Sequence, residues 1–143
     1  MPETIAITPS DLAALAQRGL PVHKFDAGEP VFFEDDVGDY LYVVVTGAIN
    51  VITYGQPLED VGPGGVFGEI ALIDDGNRSA SAMAAVDSET LRVDRAAFLD
   101  LVREQPTFAL DVMRTLAARL RRATGELPDD RNPRDPSDPT PSA

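Results

Sequence analysis

The sequence has 143 residues, of which 43% are hydrophobic and 25% charged, and its formal net charge is −12. This length and composition predict one globular domain with a core of its own. The absence of cysteine excludes disulfides and thiolate chemistry, and the single histidine, His23, excludes a multi-histidine metal centre. The negative charge disfavours binding to nucleic acid or to anionic lipid. Because the sequence contains neither an apolar run of 18 residues nor a signal-like N-terminus, we expect a cytoplasmic protein without membrane insertion.

The first predicted element is a short helix within residues 1–20. Thr8 is a candidate N-cap, and Pro9 suits the first helical position. Leu12 and Leu15 lie on one face of this helix, which Gly19 ends. We therefore expect a helix that packs against the rest of the domain.

Residues 22–94 are predicted to form a small antiparallel β structure. Nine of the eleven glycines lie between Gly28 and Gly76, and the first four of them recur every eight to ten residues, as turns between short strands do. Thr46-Gly47 is a candidate hairpin turn. The candidate strands are the runs rich in Val, Ile, Tyr, Phe and Thr at residues 31–34, 40–46, 48–53, 81–86 and 90–93.

Helical spacing returns from Arg95 to about residue 126 and is broken once, at Pro106. Gly125 is a candidate C-cap. The predicted apolar stripes are Phe98, Leu99 and Val102 in one helix and Phe108, Val112, Leu116 and Leu120 in the next.

This helical part is rich in arginine. Five of its eight charged residues from Asp100 to Gly125 are arginines, so it carries a charge of +2 in an acidic chain. The arginines either compensate the partial charge at a helix C-terminus or form a surface for a partner. The candidates for that surface are Arg114, Arg119, Arg121 and Arg122.

The end of the sequence differs in composition. Residues 128–143 include five prolines, and their only apolar side chain is Ala143, so we expect an acidic, disordered tail. The predicted organisation is an N-terminal helix at 1–20 that belongs to the same domain as residues 21–127, followed by the tail at 128–143.

One segment carries the candidate chemistry. Residues 62–73, with the sequence GPGGVFGEIALI, form a glycine-rich loop that opens into a helical turn at Glu69. The unpaired backbone N–H groups of such a turn can bind an anion. Arg78 offers a planar set of donors that matches a phosphate, although Asp74 or Asp75 could supply its counter-charge internally.

Residues 62–81 as a whole resemble the phosphate-binding cassette of the cyclic nucleotide-binding domain family. The resemblance covers roughly residues 12–122. It includes the Gly-Glu turn of residues 25–32, the acidic turn and strand of residues 34–47, and the helix starts near Arg95 and Pro106. It implies a mainly β fold: an antiparallel, jelly-roll-like β roll with an N-terminal helix, a short phosphate-binding helix and two C-terminal helices.

The resemblance also implies a role for each cassette residue. Glu69 would accept a hydrogen bond from the ribose 2′-hydroxyl, beside Gly68, whose backbone would approach the sugar. Arg78 would pair with the exocyclic phosphate oxygens. The remaining phosphate contacts would be the N–H groups of Ile70 and Ala71, the Ser79 hydroxyl and the Ala80 amide.

The C-terminal helix would then close over the base as a lid. Its candidate base contacts are Leu120, Arg122 and Thr124, which could equally be ordinary helix surface. In the family, a hydroxyl directly after the arginine, here that of Ser79, can bond guanine, but serine at this position also occurs in cAMP binders. The resemblance therefore favours cAMP as the ligand and leaves cGMP open. Val66 and Asn77 depart from residues common in the family.

The leading hypothesis is a stand-alone cyclic nucleotide sensor that is not an enzyme and needs no cofactor. It would signal to an unidentified protein partner or form a homodimer through the C-terminal helix. With only the tail after Gly125, no helix-turn-helix and no DNA binding are expected.

The alternative is a degenerate fold that binds no nucleotide and serves as an interaction scaffold. The presence of both Glu69 and Arg78 speaks against it. A metal-dependent enzyme on a cupin-like scaffold would need clustered histidines, which the chain lacks.

Overall fold

The computed structural model describes residues 7, 9–53, 56–74 and 77–124. The predicted caps Thr8 and Gly125 and the tail at 128–143 lie outside these residues. None of the helices described is both long and apolar enough to cross a membrane. In chain order the elements are α1 (Pro9–Gln17), β1 (Val22–Phe25), β2 (Pro30–Phe32), β3 (Tyr40–Thr46), β4 (Ile49–Thr53), β5 (Gln56–Val61), β6 (Val66–Phe67), α2 (Glu69–Asp74), β7 (Ser81–Ala84), β8 (Ser88–Asp94), α3 (Arg95–Glu104) and α4 (Pro106–Thr124).

The strands form two four-stranded sheets, and their pairings are antiparallel. The first sheet has the order β1-β8-β3-β6 and the second has the order β2-β7-β4-β5. The predicted β roll with flanking helices is therefore confirmed. β1, β5 and β6 were not among the predicted strands; β5 contains Pro57 and two acidic residues, and β6 has only two residues. A proline is tolerated in β5 because that strand lies at the edge of its sheet.

The prediction of a hairpin turn at Thr46-Gly47 is wrong. β3 lies in the first sheet and β4 in the second, so the chain turns a corner between sheets at this point. A second corner follows β7, because β8 returns to the first sheet and pairs with β3 while β7 pairs with β4. The two corners lie side by side, and the Ala85 N–H donates to the Ala48 carbonyl at 2.9 Å.

Gly47 and Ser88 hold these corners together. Gly47 has a φ of +92°, and a Cβ on it would lie 2.2 Å from Ser88 Oγ. The Ser88 hydroxyl accepts from the Ala48 N–H at 3.1 Å and donates to the Val86 carbonyl at 2.7 Å. A glycine between two strand-like runs suits a hairpin or a corner equally, and only the partners of the strands distinguish the two.

β3 contributes to two hydrophobic cores, because alternate residues of a strand face opposite sides of the sheet. Leu41 and Val43 face the helices, while Tyr42 and Val44 face the second sheet. The helix-side core also contains Leu15, Leu72, Leu101, Phe108 and Val112, and the core between the sheets contains Ile49, Val61, Phe67, Ala82 and Ala84.

The two C-terminal helices begin and break as expected. Asp94 caps α3 by accepting a hydrogen bond from the Ala97 N–H at 2.8 Å. Gln105 follows α3, and Pro106 begins α4, where a backbone N–H is not needed. The break predicted at Pro106 is confirmed.

The apolar stripe of α4 is shorter than predicted. Phe108 and Val112 are buried, but Leu120 is 65% exposed. Every step of four residues advances about 40° beyond a full helical turn, so Leu120 has rotated by about 120° from Phe108. Leu99 on α3, another predicted stripe residue, is also exposed.

Candidate functional site

The segment before α2 contains β6, which pairs with β3. β6 pairs with β3 through Tyr42 and Phe67, and Gly68 follows with a φ of +78°. This left-handed conformation, which favours glycine, turns the chain directly into α2. Glu69 thereby becomes the first residue of α2 and is buried, at 2% exposure.

Arg78 is held from both sides by backbone contacts. The Arg78 N–H donates to the Asp36 carbonyl at 2.7 Å, and the Asp35 N–H donates to the Arg78 carbonyl at 2.8 Å. The guanidinium lies 4.0 Å from the centre of the Phe32 ring, and its Nη1 donates to the Gly68 carbonyl at 2.8 Å. These contacts fix the side chain beside the start of α2.

Two glycines leave the space that this guanidinium occupies. A Cβ on Gly38 would lie 2.4 Å from Arg78 Nε, and a Cβ on Gly68 would lie 2.6 Å from Arg78 Nη1. Gly38 was not predicted as a site residue, because the sequence showed it only as one glycine in the rhythm of turns. Its role depends on a contact across 40 residues of chain.

Arg78 is a buried cation without an ionic partner among the described residues. It is 4% exposed, and its Nε has no hydrogen-bond partner in the part of the chain that the structure describes. Burial lowers the pKa of Arg78, and Tyr42, Asp39, Glu69 and Asp36 oppose this shift only in part. The sequence left open whether Asp74 or Asp75 pairs with Arg78. Asp74 is exposed and does not pair with it, and Asp75 lies outside the described residues.

Glu69 is paired on one oxygen only. Its Oε2 accepts from Arg119 Nη1 at 2.7 Å, whereas its Oε1 is buried and has no partner among the described residues. Arg119 comes from α4, so the pair joins the cassette to the C-terminal helix. Burial alone would lower the pKa of Arg119, but Glu69 and Glu59 outweigh it and raise that pKa.

Arg119 lies in the cleft and not on the outer surface of α4, where the sequence predicted it. The candidate partner surface included it, but its side chain points inward and is only 18% exposed. The arginine excess of the helix was visible in the sequence. The two carboxylates that Arg119 binds lie 50 and 60 residues earlier, so no local pattern could identify them.

These groups meet in a single cleft. Arg119 lines it from α4, and Phe32 and Phe67 provide apolar walls. The structure brings all seven predicted cassette residues to this cleft: Gly68, Glu69, Ile70, Ala71, Arg78, Ser79 and Ala80.

The structure does not bring Leu120 or Arg122, two of the three predicted base contacts, into the cleft. Leu120 is exposed and is not among the lining residues. Arg122 reaches Glu59 at 3.5 Å, and Thr124 ends α4 with its side chain outside the described part of the chain. Arg119 is the α4 residue that lines the cleft in their place.

Comparison with known proteins supports the resemblance first seen in the cassette. Residues 22–105 match the family model described as the cyclic nucleotide-binding domain. The Cyclic AMP receptor protein of Thermus thermophilus is 41% identical over 108 residues, which cover 72% of this chain and 50% of that protein. The chain thus spans about half the length of this curated relative.

Solved structures agree in fold. The crystal structure of the Thermus thermophilus catabolite activator protein matches with a TM-score of 0.72 and 35% identity, over 83% of this chain and 58% of that one. A structure from work on a cyclic-GMP-dependent signalling pathway that regulates bacterial phytopathogenesis matches with a TM-score of 0.65 and 30% identity, over 86% of this chain and 99% of that one. Since the family model covers β1 through α3, with the whole cassette inside it, the chain belongs to the cyclic nucleotide-binding domain family.

Proposed function

We propose that this chain is a regulatory module that binds cAMP in the cleft beside α2 and signals through α4. The observation that carries the proposal is the buried guanidinium of Arg78, which donates to a backbone carbonyl and has no carboxylate partner among the described residues. Burying a charge without a partner costs several kcal/mol, and a bound anion offsets that cost. The phosphate of a cyclic nucleotide is such an anion.

In the proposed complex the phosphate lies between Arg78 and the start of α2. Ile70 and Ala71 lie in the first turn of α2, where backbone N–H groups have no partner within the helix. Glu69 Oε1, which has no partner among the described residues, accepts a hydrogen bond from the ribose 2′-hydroxyl. The Ser79 hydroxyl and the Ala80 amide complete the phosphate contacts.

The choice of cAMP over cGMP rests on the cyclic AMP receptor protein, the curated relative with 41% identity. The 30% identical structure from the cyclic-GMP pathway keeps cGMP as the competing ligand. In this chain Ser79 is the side chain that would discriminate, since a hydroxyl beside the arginine can bond guanine.

α4 is the proposed route of output. Arg119 connects it to Glu69, so ligand bound at Glu69 and the position of α4 are linked. The ligand shifts the population of α4 positions by the difference in its affinity for them. Leu110, Met113 and Leu120 form an exposed apolar face of α4, which we propose as the contact with a second copy or a partner protein.

Thermal melting with cAMP, cGMP, AMP or no ligand tests the proposed function. A ligand at 100 times its dissociation constant stabilises by about 2.7 kcal/mol, which raises Tm by several degrees in a domain of this size. We expect a larger rise with cAMP than with cGMP and none with AMP. Absence of a shift with both cyclic nucleotides contradicts the proposal.

Arg78→Ala tests the proposed phosphate contact. A charge-assisted hydrogen bond contributes about 1.5–3 kcal/mol, so the variant should bind cAMP at least about tenfold more weakly in isothermal titration calorimetry. Arg103→Ala is the matched control, because Arg103 is 74% exposed and pairs with Asp100 on α3. Equal cAMP affinity of Arg78→Ala and wild type would remove Arg78 from the site.

One observation favours the alternative of a ligand-free scaffold. Arg119 already satisfies one oxygen of Glu69 from within the chain. If the ion pair had replaced the ligand, Arg119→Ala would lower Tm and no cyclic nucleotide would change the Tm of the wild type. A cAMP-dependent rise in the wild-type Tm excludes this alternative.

A further inference from the structure

A second buried carboxylate lies behind the cleft. Glu59 is on β5, and its side chain is 6% exposed. It accepts from Arg119 Nε at 2.6 Å through Oε1 and from Arg119 Nη2 at 3.3 Å through Oε2. Arg122 also approaches Oε1, at 3.5 Å. Glu59 is not among the residues that line the cleft, so it reaches the ligand site only through these arginines.

The contacts of Arg119 fix the direction of its remaining donor. Nε and Nη2 bind Glu59, and Nη2 also donates to the Val66 carbonyl. The guanidinium is planar, so hydrogen bonds at two of its nitrogens fix the direction of the third. The third nitrogen, Nη1, donates to Glu69 Oε2 at 2.7 Å. Glu69 Oε1 is then left buried and unpartnered.

We propose that Glu59 is a positioning residue for ribose recognition: by clamping Arg119, it fixes the Glu69 carboxylate so that Oε1 faces the ribose 2′-hydroxyl. Groups that orient a ligand-binding side chain from behind affect binding as strongly as many direct contacts do. Arginine side chains have many rotamers, so an Arg119 released from Glu59 holds Glu69 less rigidly. This inference rests on the proposed binding of a cyclic nucleotide.

The test compares Glu59→Gln with wild type for two ligands, cAMP and 2′-deoxy-cAMP. Glutamine keeps the shape of the side chain but removes the charge, and its amide N–H₂ meets the donors of Arg119 instead of accepting from them. Wild type should bind cAMP about tenfold or more tightly than 2′-deoxy-cAMP, because only cAMP can donate to Glu69. In Glu59→Gln this ratio should fall by at least about threefold, mainly through weaker binding of cAMP.

Glu104→Gln is the matched control. Glu104 also pairs with an arginine, Arg18 at 2.7 Å, but it is 64% exposed and lies on α3, away from the cleft. The control should keep the wild-type ratio. If Glu59→Gln does not fold, Arg119→Lys tests the same link, since one ammonium group cannot reproduce the fork that joins Glu59 to Glu69. It should lower the ratio in the same way.

The possible outcomes distinguish the role of Glu59 from the proposed binding of cAMP. If Glu59→Gln weakens the binding of both ligands equally, Glu59 supports only the position of α4, and the inference is overturned. Unchanged affinity for both ligands overturns it as well. In both cases the proposed function survives, because wild type still binds cAMP. If wild type binds neither ligand, the proposed function itself fails, and the inference fails with it.

Discussion

Two arginines of the cleft, the buried Arg78 and the partly buried Arg119, have different surroundings. Arg119 meets two carboxylates, which raise its pKa in spite of burial. Arg78 meets none within 4 Å among the described residues, and burial lowers its pKa. The carboxylates of Glu59 and Glu69 compensate the charge of Arg119, whereas the Arg78 guanidinium contacts a carbonyl and an aromatic ring, neither of which is an anion. This contrast is the reason that we propose Arg78, and not Arg119, as the phosphate-binding group.

Gly38 tests whether the position of Arg78 matters beyond its charge. Gly38 does not have a positive φ, so alanine suits the backbone, but its Cβ would lie 2.4 Å from Arg78 Nε and 2.8 Å from Ala71 Cβ. We expect Gly38→Ala to lower Tm by a few degrees and to weaken cAMP binding at least about tenfold, because the guanidinium must move. Calorimetry with cAMP measures the affinity.

The same substitution in an Arg78→Ala background is the control for Gly38. There the clash with the guanidinium is gone and only the contact with Ala71 Cβ remains, so the further loss of cAMP affinity caused by Gly38→Ala should be clearly smaller than its loss in the wild-type background. Additive losses in the double variant would show that the two residues act independently, contrary to the geometry described.

At the scale of elements, α4 has three different faces. Phe108 and Val112 pack into the helix-side core, and Arg119 lines the cleft. Leu110, Met113 and Leu120 are 49%, 59% and 65% exposed and follow one another at intervals of three and seven residues. This spacing places them on one side of the helix. One helix therefore joins the core, the ligand site and an open apolar surface.

The exposed face of α4 predicts self-association. The double substitution Met113→Glu and Leu120→Glu should yield a monomer, because it places two charges on the proposed contact. Size-exclusion chromatography with light scattering, run over a range of protein concentrations with and without cAMP, measures the mass. Leu99→Glu is the control, because Leu99 is comparably exposed but lies on α3. A wild type that remains monomeric at every concentration rules out the homodimer.

At the scale of the whole molecule, β8, the last strand in the chain, pairs with β1, the first. β8 lies between β1 and β3, so residues near position 23 pair with residues near position 90. His23 lies in this pairing opposite Thr90, and its Nε2 is buried without a partner among the described residues. Burial, with a further contribution from Arg92, lowers the pKa of His23 below its ordinary value of 6.5.

This shift predicts a pH dependence of stability. The unfolded chain binds a proton at His23 as the pH falls below 6.5, whereas the folded protein resists it until its lower pKa is reached. The free energy of unfolding should therefore decrease through that window as the pH falls, and the contribution of His23 should be constant above it. Urea unfolding of wild type and of His23→Gln above and below pH 6.5 measures the difference. Parallel decreases in the two proteins would contradict the assignment to His23.

The sequence by itself determined the features that depend on neighbours in the chain. The strand runs, the break at Pro106 and the cassette from Gly68 to Ala80 follow from local conformational preferences and from a short motif of specific residues. Only the tertiary structure decided that Gly47 turns a corner between sheets, that Gly38 makes room for Arg78, and that Arg119 enters the cleft while Leu120 faces outward. The outward position of Leu120 follows from the angle between successive helical residues once the buried face of α4 is known. The corner at Gly47, the space at Gly38 and the place of Arg119 each depend on contacts between residues at least 40 positions apart, and such contacts leave no pattern that can be read along the chain.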